Sequence, residues 1–229
     1  MKRIVIPELL DTDAGTPAEI AASFSDLRNI NSWFGGIATS EAMIEAVADR
    51  LGTKTLSLLE VAAGSGYVPL SVRRRLEKRG IRLEVALLDR ALSHLKNGDG
   101  NCADGARTVV GDALALPFRD GSFDLVGSCL FAHHLSPEEM VRFLNEGLRV
   151  CRVALLINDL VRHPLHVALT YAGMPLFRSR ITRHDAVASV RGAYTVREML
   201  EIMQRSDAAR VEVHRHYLYR MGVIGWKSS

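Results

Sequence analysis

The 229-residue sequence has no long apolar run. Its N-terminal patch, Ile4 to Ile6, is broken at Pro7, and nothing approaches the ~20 residues that a membrane-spanning helix requires. Neither export nor a membrane span is indicated, so a cytoplasmic protein is expected. Cysteine is scarce as well: Cys102, Cys129 and Cys151 are widely spaced and form no Cys-x-x-Cys pair, which argues against a disulfide framework or a zinc ribbon. The charge excess is only +3, and the arginines are scattered apart from Arg73-Arg74-Arg75 and a looser group from Arg178 to Arg197. That balance calls for neither nucleic acid nor an anionic membrane as partner. Internal repeats and low-complexity tracts are missing too.

What is present is ordinary globular composition, 48% hydrophobic and 24% charged, at a length that suits one α/β domain over residues 1–229. Residues 1–51 read as a loose arm followed by two cap helices near 17–31 and 39–51, with Thr16-Pro17 suited to a helix start. From residue 56 the pattern alternates as a parallel sheet demands. Strands are expected at 56–61, 82–88, 107–111, 123–129 and 152–158, with helices near 67–79, 90–97 and 136–149 between them. Ser136, Pro137 and Glu139 form a capping box with proline at the first helical position. Residues 159–193 break the alternation with prolines, histidines and aromatics and read as a lid insertion. A helix near 195–205 and a terminal hairpin, 209–218 with 221–226, complete the chain.

The stretch Leu56 to Gly66 is a buried strand that ends in an acid and a small-residue turn, where a ligand can meet bare backbone. A dinucleotide fingerprint needs glycine at 62, 64 and 67, whereas the chain has Ala62, Gly64 and Tyr67, and no Gly-Lys-Ser/Thr follows to make a P-loop. Asp89, closing the second strand, stands at the distance expected of an acid that grips ribose hydroxyls. The turn and the acid together point to a nucleoside.

Glu60, Gly64 and Gly66, then Asp89, then Gly111-Asp112-Ala113, then Phe123-Asp124-Leu125-Val126 form an ordered set of strand ends. With the run 123–135, they make residues 40–226 resemble the class I S-adenosylmethionine-dependent methyltransferases, in particular the small-molecule enzymes of that superfamily. The resemblance implies a Rossmann-like, seven-stranded, mostly parallel sheet of order 3-2-1-4-5-7-6 with helices on both faces. It implies S-adenosylmethionine as cofactor and S-adenosylhomocysteine as its product. Ala62, Gly64, Ser65 and Gly66 would underlie the methionine moiety and ribose, and Glu60 would hold the loop or the ligand's amino group. Asp89 would take the ribose diol, Arg90 and Ala113 would border the adenine, Asp112 would take its exocyclic amine, and Ser128 and Cys129 would line the methionine end. Ala62 departs from the family's usual glycine.

Methyl transfer to a hydroxyl needs alignment and a proton acceptor. His133, His134, Asp159 and His163 follow the fourth and fifth strands and are the catalytic candidates, with His133 placed on the substrate side. Each has a bland alternative: the histidines as packed or capping residues, Asp159 as the end of a strand. Trp33, Phe34, Arg162, His166, Tyr171 and Tyr194 are candidates for the acceptor site, although aromatics of this kind also serve as core anchors. Asn158-Asp159 lacks a third acid, and the histidine pairs His163/His166 and His214/His216 have surface spacing, so no metal is expected. The activity expected is O-methylation of a small aromatic or polyketide-like acceptor with a histidine assisting deprotonation. Alternatives are C-methylation of a quinone-type ring and a non-catalytic S-adenosylmethionine-binding module. No nucleic-acid partner is expected, since Ser128-Cys129-Leu130-Phe131 stands where amide and adenine methyltransferases carry Asn/Asp-Pro-Pro-Tyr. Monomer and homodimer both stay open.

Overall fold

A computed structural model of the chain describes residues 1–96 and 106–228. Cys102 and the end of the helix expected near 90–97 lie outside them. Strands β1 (Thr55–Val61), β2 (Arg82–Asp89), β3 (Arg107–Val110), β4 (Phe123–Cys129) and β5 (Cys151–Leu160) are parallel. β6 (Arg210–His216) and β7 (Arg220–Trp226) form the terminal hairpin, and β7 pairs antiparallel with β5. The order across the sheet is β3-β2-β1-β4-β5-β7-β6, as the resemblance implies.

Both faces of the inner strands are buried, which is why those strands read as continuous apolar runs. Leu56 and Leu58 of β1, with Leu125 and Leu156, pack beneath α2 (Gly36–Leu51) and α3 (Tyr67–Glu77) through Ile44, Val47, Val72 and Leu76. Leu59 and Val61, with Val126 and Leu155, pack beneath α5 (Pro137–Val150) through Met140, Phe143 and Leu144, whose i, i+3, i+4 spacing makes one apolar stripe. Reciprocal capping boxes start three helices. Thr16 and Glu19 open α1 (Pro17–Trp33), Ser136 and Glu139 open α5, and Thr195 and Glu198 open α8 (Val196–Met203). Between β2 and β3 lies the short α4 (Leu92–Lys96). Asp124 accepts from the Ser57 amide at 2.8 Å and from Arg152 Nε at 2.9 Å, tying the start of β4 to β1 and β5.

Two expectations are corrected. β5 runs on to Leu160, so the insertion begins later than 159; its second helix packs into the fold, whereas its first buries no residue. The insertion forms α6 (Pro164–Gly173) and α7 (Arg180–Gly192), and Asp26 of α1 receives the amides of Arg178 and Ser179, each at 2.9 Å. The N-terminal arm is not loose. Arg3 donates to the carbonyls of His133 and Leu135 at 2.9 and 2.8 Å and lies 4.2 Å above the Tyr194 ring, while the amides of Leu9 and Leu10 bond the Asp185 carboxylate. These partners lie more than a hundred residues away in sequence, and nothing in the arm's own residue pattern signals them. Among the described residues, no helix is long and apolar enough to cross a membrane.

Candidate active site

A cavity of about 480 Å³ opens over the carboxyl ends of β1 to β4. It lies where β1 is flanked by β2 on one side and β4 on the other, the switch point at which open α/β sheets hold ligands. Its floor is the turn Ala62, Ala63, Gly64 and Ser65. Gly64 has φ 54°, and Ala62, with φ 53°, occupies the same left-handed region, where an alanine is strained. Gly66, with φ 72°, does not line the cavity. It turns the chain into α3 where a Cβ would come within 2.5 Å of Leu87 Cδ1.

Asp89 closes β2 beside this turn. Its carboxylate accepts from the Gly64 amide at 2.8 Å and the Ala91 amide at 2.9 Å, which sets its orientation at the cavity wall. Arg90, Asp112 and Ala113 line the same wall, with Asp112 oriented by the Leu114 amide at 2.9 Å. Glu60 is buried at the cavity's inner end with no hydrogen-bond partner among the described residues. Burial pushes its pKa up to about 8, so it is protonated at neutral pH. Gly127, opposite it on β4, leaves room for the carboxyl: a Cβ there would lie 2.9 Å from Glu60 Oε2. Cys129 lines the cavity as a thiol pushed up to about 12 by burial. Ser128 does not line the cavity, because the alternation of β4 turns its side chain to the face of Val126, under α5 and opposite Cys129, where its hydroxyl is buried without a hydrogen-bond partner among the described residues. A carboxyl without a partner, bare backbone and an oriented acid together suit a nucleoside that carries an ammonium group.

A second cavity of about 290 Å³ lies between the insertion and α1. Its wall is mainly apolar, with Phe34, Leu160, Leu169, Phe177 and Tyr219 among its residues. It shares Glu8, Leu10, Leu27, Leu130 and Ser189 with the first cavity. Leu130 turns out of β4 with φ 57°, a strained conformation for a branched residue at the partition.

At this partition stands a chain of charged groups. His133 Nδ1 lies 2.8 Å from Asp159 Oδ1, and its Nε2 lies 3.3 Å from Glu8 Oε1. Burial alone would push His133 down, but the flanking carboxylates Asp159 and Glu8 prevail and hold it at about 10. Burial likewise opposes ionisation of Asp159 and Glu8, yet His133 holds both below the usual carboxylate range. His133 is therefore an imidazolium and already carries the proton that the sequence reading asks it to accept. His134 also lines the first cavity, with Nδ1 3.0 Å from Asp11 Oδ2 and Nε2 3.9 Å from Glu8 Oε2.

The remaining candidates are scattered. His163 caps α6, accepting from the Leu165 amide at 3.2 Å, and lines neither cavity. Arg162 is buried away from both, donating to Met1 O, Ala193 O and Glu198 Oε1. Tyr194 is buried with its hydroxyl on Leu135 O at 2.7 Å. Trp33 and Tyr171 are 63% and 49% exposed and line neither cavity. Phe34 and His166 do line the second cavity. Asn158 and Asp159 point to opposite faces of β5. Asn158 bonds Gly36 O, Ser40 Oγ and the guanidinium of Arg220, a buried cation that sequence reading passes over. Glu8, Asp11 and Leu130 are the other residues missed; an acid in an irregular arm carries no signal of where that arm docks.

The sheet order is that of the class I, Rossmann-like fold of S-adenosylmethionine-dependent methyltransferases, and the strand-end cavity lies where that fold holds its ligand. Residues 59–154 match the family described as a methyltransferase domain. The chain is 31% identical over 144 residues to the ubiquinone/menaquinone biosynthesis C-methyltransferase UbiE of Roseobacter denitrificans, a match covering 60% of this chain and 54% of that protein. The chain thus spans about half the length of that relative. A SAM-dependent methyltransferase from Aquifex aeolicus superposes with a TM-score of 0.57 at 18% identity, over 80% of this chain and 89% of that one. Magnesium protoporphyrin IX methyltransferase from Synechocystis PCC 6803, with bound S-adenosylhomocysteine, gives 0.53 at 13% identity, over 83% and 84%. These two structures share the fold.

Proposed function

We propose that the protein transfers a methyl group from S-adenosylmethionine to a small, hydroxylated, largely apolar acceptor held in the second cavity. The observation that carries this reading is the wall shared by the two cavities, Glu8, Leu10, Leu27, Leu130 and Ser189. A donor over the strand ends would lie next to an acceptor under the insertion, and alignment of two bound reactants is itself a large part of the rate. Bound S-adenosylmethionine supplies an electrophilic methyl on sulfur, the S–C bonding pair staying with the sulfur of S-adenosylhomocysteine.

The chain's own residues do the rest. Asp89 takes the ribose hydroxyls, Arg90, Asp112 and Ala113 border the base, and the backbone from Ala62 to Ser65 underlies the amino-acid end near Cys129. Glu60 gives up its proton when an ammonium group is offered to it. Glu8, a carboxylate held by His133 and Ser189 and common to both cavities, takes the proton of the acceptor hydroxyl. The name of the UbiE relatives favours methylation at carbon, with the ionised hydroxyl activating the ring and the hydrogen of the methylated carbon then leaving as a proton while the oxygen is reprotonated. Oxygen is the second reading, favoured by the position of Glu8 beside the wall where that hydroxyl ionises.

Calorimetry with S-adenosylhomocysteine, followed by turnover of a panel of phenols and quinols with the added methyl located by NMR, tests the proposal. A methyl on ring carbon selects the first reading and a methyl ether the second. Binding without turnover of any phenol or quinol would make the chain a non-catalytic binding module, and no binding at millimolar ligand would end the donor assignment.

A further inference from the structure

Two histidines at the partition aim at one glutamate. Each ring is steered by an acid on its Nδ1 side: His133 by Asp159 Oδ1 at 2.8 Å, His134 by Asp11 Oδ2 at 3.0 Å. Each Nε2 then faces Glu8, at 3.3 Å from Oε1 and 3.9 Å from Oε2. The second distance is beyond hydrogen-bond reach. The first is close to the ~3.4 Å that separates two ligands of a tetrahedral ion bound at ~2.1 Å, and the second, to the other oxygen, is somewhat longer. One ligand atom from each of Glu8, His133 and His134 falls within 4.8 Å of the others, the one such group among the described residues.

We propose that Glu8, His133 and His134 form a binding site for a divalent transition-metal ion, zinc by its donor set, at the wall between the two cavities. Two imidazoles and one carboxylate are a borderline donor set of the kind zinc prefers, with one position left open. The carboxylates behind the rings are what a metal-bound histidine needs: the ion displaces the Nε2 proton of His133 to solvent, and the acid on Nδ1 holds the remaining proton and aims the freed lone pair. Three carboxylates surround two imidazoles here, so the cluster attracts a cation. The absence of metal expected from sequence spacing considers only pairs close along the chain. Glu8 stands 125 positions before His133 and arrives by docking of the arm.

The site itself rests on these side chains alone; its use in catalysis rests on the reading above. There the open position accepts an oxygen of the acceptor, whose proton passes to water as the ion lowers its pKa, and Glu8 acts as a ligand instead of a base.

The test uses tag-free, chelator-treated full-length protein titrated with Zn²⁺ by calorimetry and with Co²⁺ as a visible-absorption probe. One equivalent should bind, with Co²⁺ bands of four- or five-coordinate geometry. Glu8→Ala and His134→Ala should each weaken Zn²⁺ binding by about 100-fold or more, and Asp159→Asn by about 10–100-fold. Circular dichroism checks that each variant is folded, and S-adenosylhomocysteine affinity is measured separately, so that failure of the donor reading is distinguished from failure of the metal site. No saturable binding to the wild type, or binding unchanged in folded Glu8→Ala and His134→Ala, overturns the proposal.

Discussion

Asp159 Oδ1 stands 2.8 Å from His133 Nδ1, and Asp159 Oδ2 accepts the His133 amide at 3.1 Å, so one buried carboxylate grips both the ring and the backbone of the turn after β4. Removing one partner of a buried ion pair leaves the other uncompensated. Asp159→Asn should therefore lower unfolding free energy at pH 7 by about 3–5 kcal/mol, read as a fall in the urea midpoint at unchanged m-value. A loss below about 1 kcal/mol would show that the pair does little for stability.

Ala62 holds a left-handed conformation, φ 53°, at the start of the donor turn. An L-residue is disfavoured there by roughly 1–2 kcal/mol, while glycine costs roughly 0.5–1 kcal/mol more backbone entropy on folding. Ala62→Gly should raise stability by up to about 1 kcal/mol and leave S-adenosylhomocysteine affinity within about twofold. Thermal unfolding with and without ligand measures both, and a destabilised variant would mean that the methyl group packs usefully despite its backbone.

How much of this was legible beforehand depended on whether the signal was local. Buried parallel strands announce themselves as apolar runs, so the ends of β1, β2 and β4, and with them the positions of Glu60, Asp89 and Cys129, are legible to within a residue or so. Ser136 and Glu139 announced α5 in the same way. Arg162 and His163 misled because a polar residue in an insertion reads alike whether it lines a cavity or, as here, satisfies carbonyls and caps a helix. Glu8 and Asp11 were illegible for the opposite reason: their role comes from Arg3 and Asp185 docking the arm across the fold, and no periodicity encodes that contact.

Glu60 gives the protein a pH signature. Its pKa in the folded state, about 8, lies above the ordinary carboxylate value of 4.5, so folding favours the protonated form. That stabilisation is complete below pH 4.5 and is lost as the pH rises through about 8, so wild-type stability should decline across this window and Glu60→Gln should flatten the decline. Pairing with the donor's ammonium reverses the preference. Binding of S-adenosylmethionine at pH 7 should release a proton, seen as a buffer-dependent calorimetric enthalpy; equal enthalpies in buffers of different ionisation heat would count against the Glu60 assignment.

Glu8 carries the proton-acceptor assignment in the metal-free enzyme. Glu8→Gln keeps the shape and most of the contacts with His133 and Ser189 but removes the charge. It should lower kcat by about 10²–10⁴-fold with S-adenosylmethionine KM nearly unchanged, and the loss should shrink for acceptors of lower hydroxyl pKa. A uniform loss across acceptors of different acidity would point to a positioning role instead.

The acceptor cavity can be filled without touching the donor. Gly173, at the end of α6, lines the second cavity only, and a Cβ built there meets nothing within 4 Å. A larger side chain therefore has room to enter the space that the acceptor needs. Gly173→Phe should raise acceptor KM by at least about tenfold, since a displaced ring of the acceptor forfeits its apolar burial, while S-adenosylhomocysteine affinity and the thermal midpoint stay near wild type. An unchanged acceptor KM would place the acceptor outside this cavity and leave the shared wall without the role assigned to it. A loss of donor affinity instead would mean that α6 and the donor turn are coupled through Leu130, the partition residue held at positive φ.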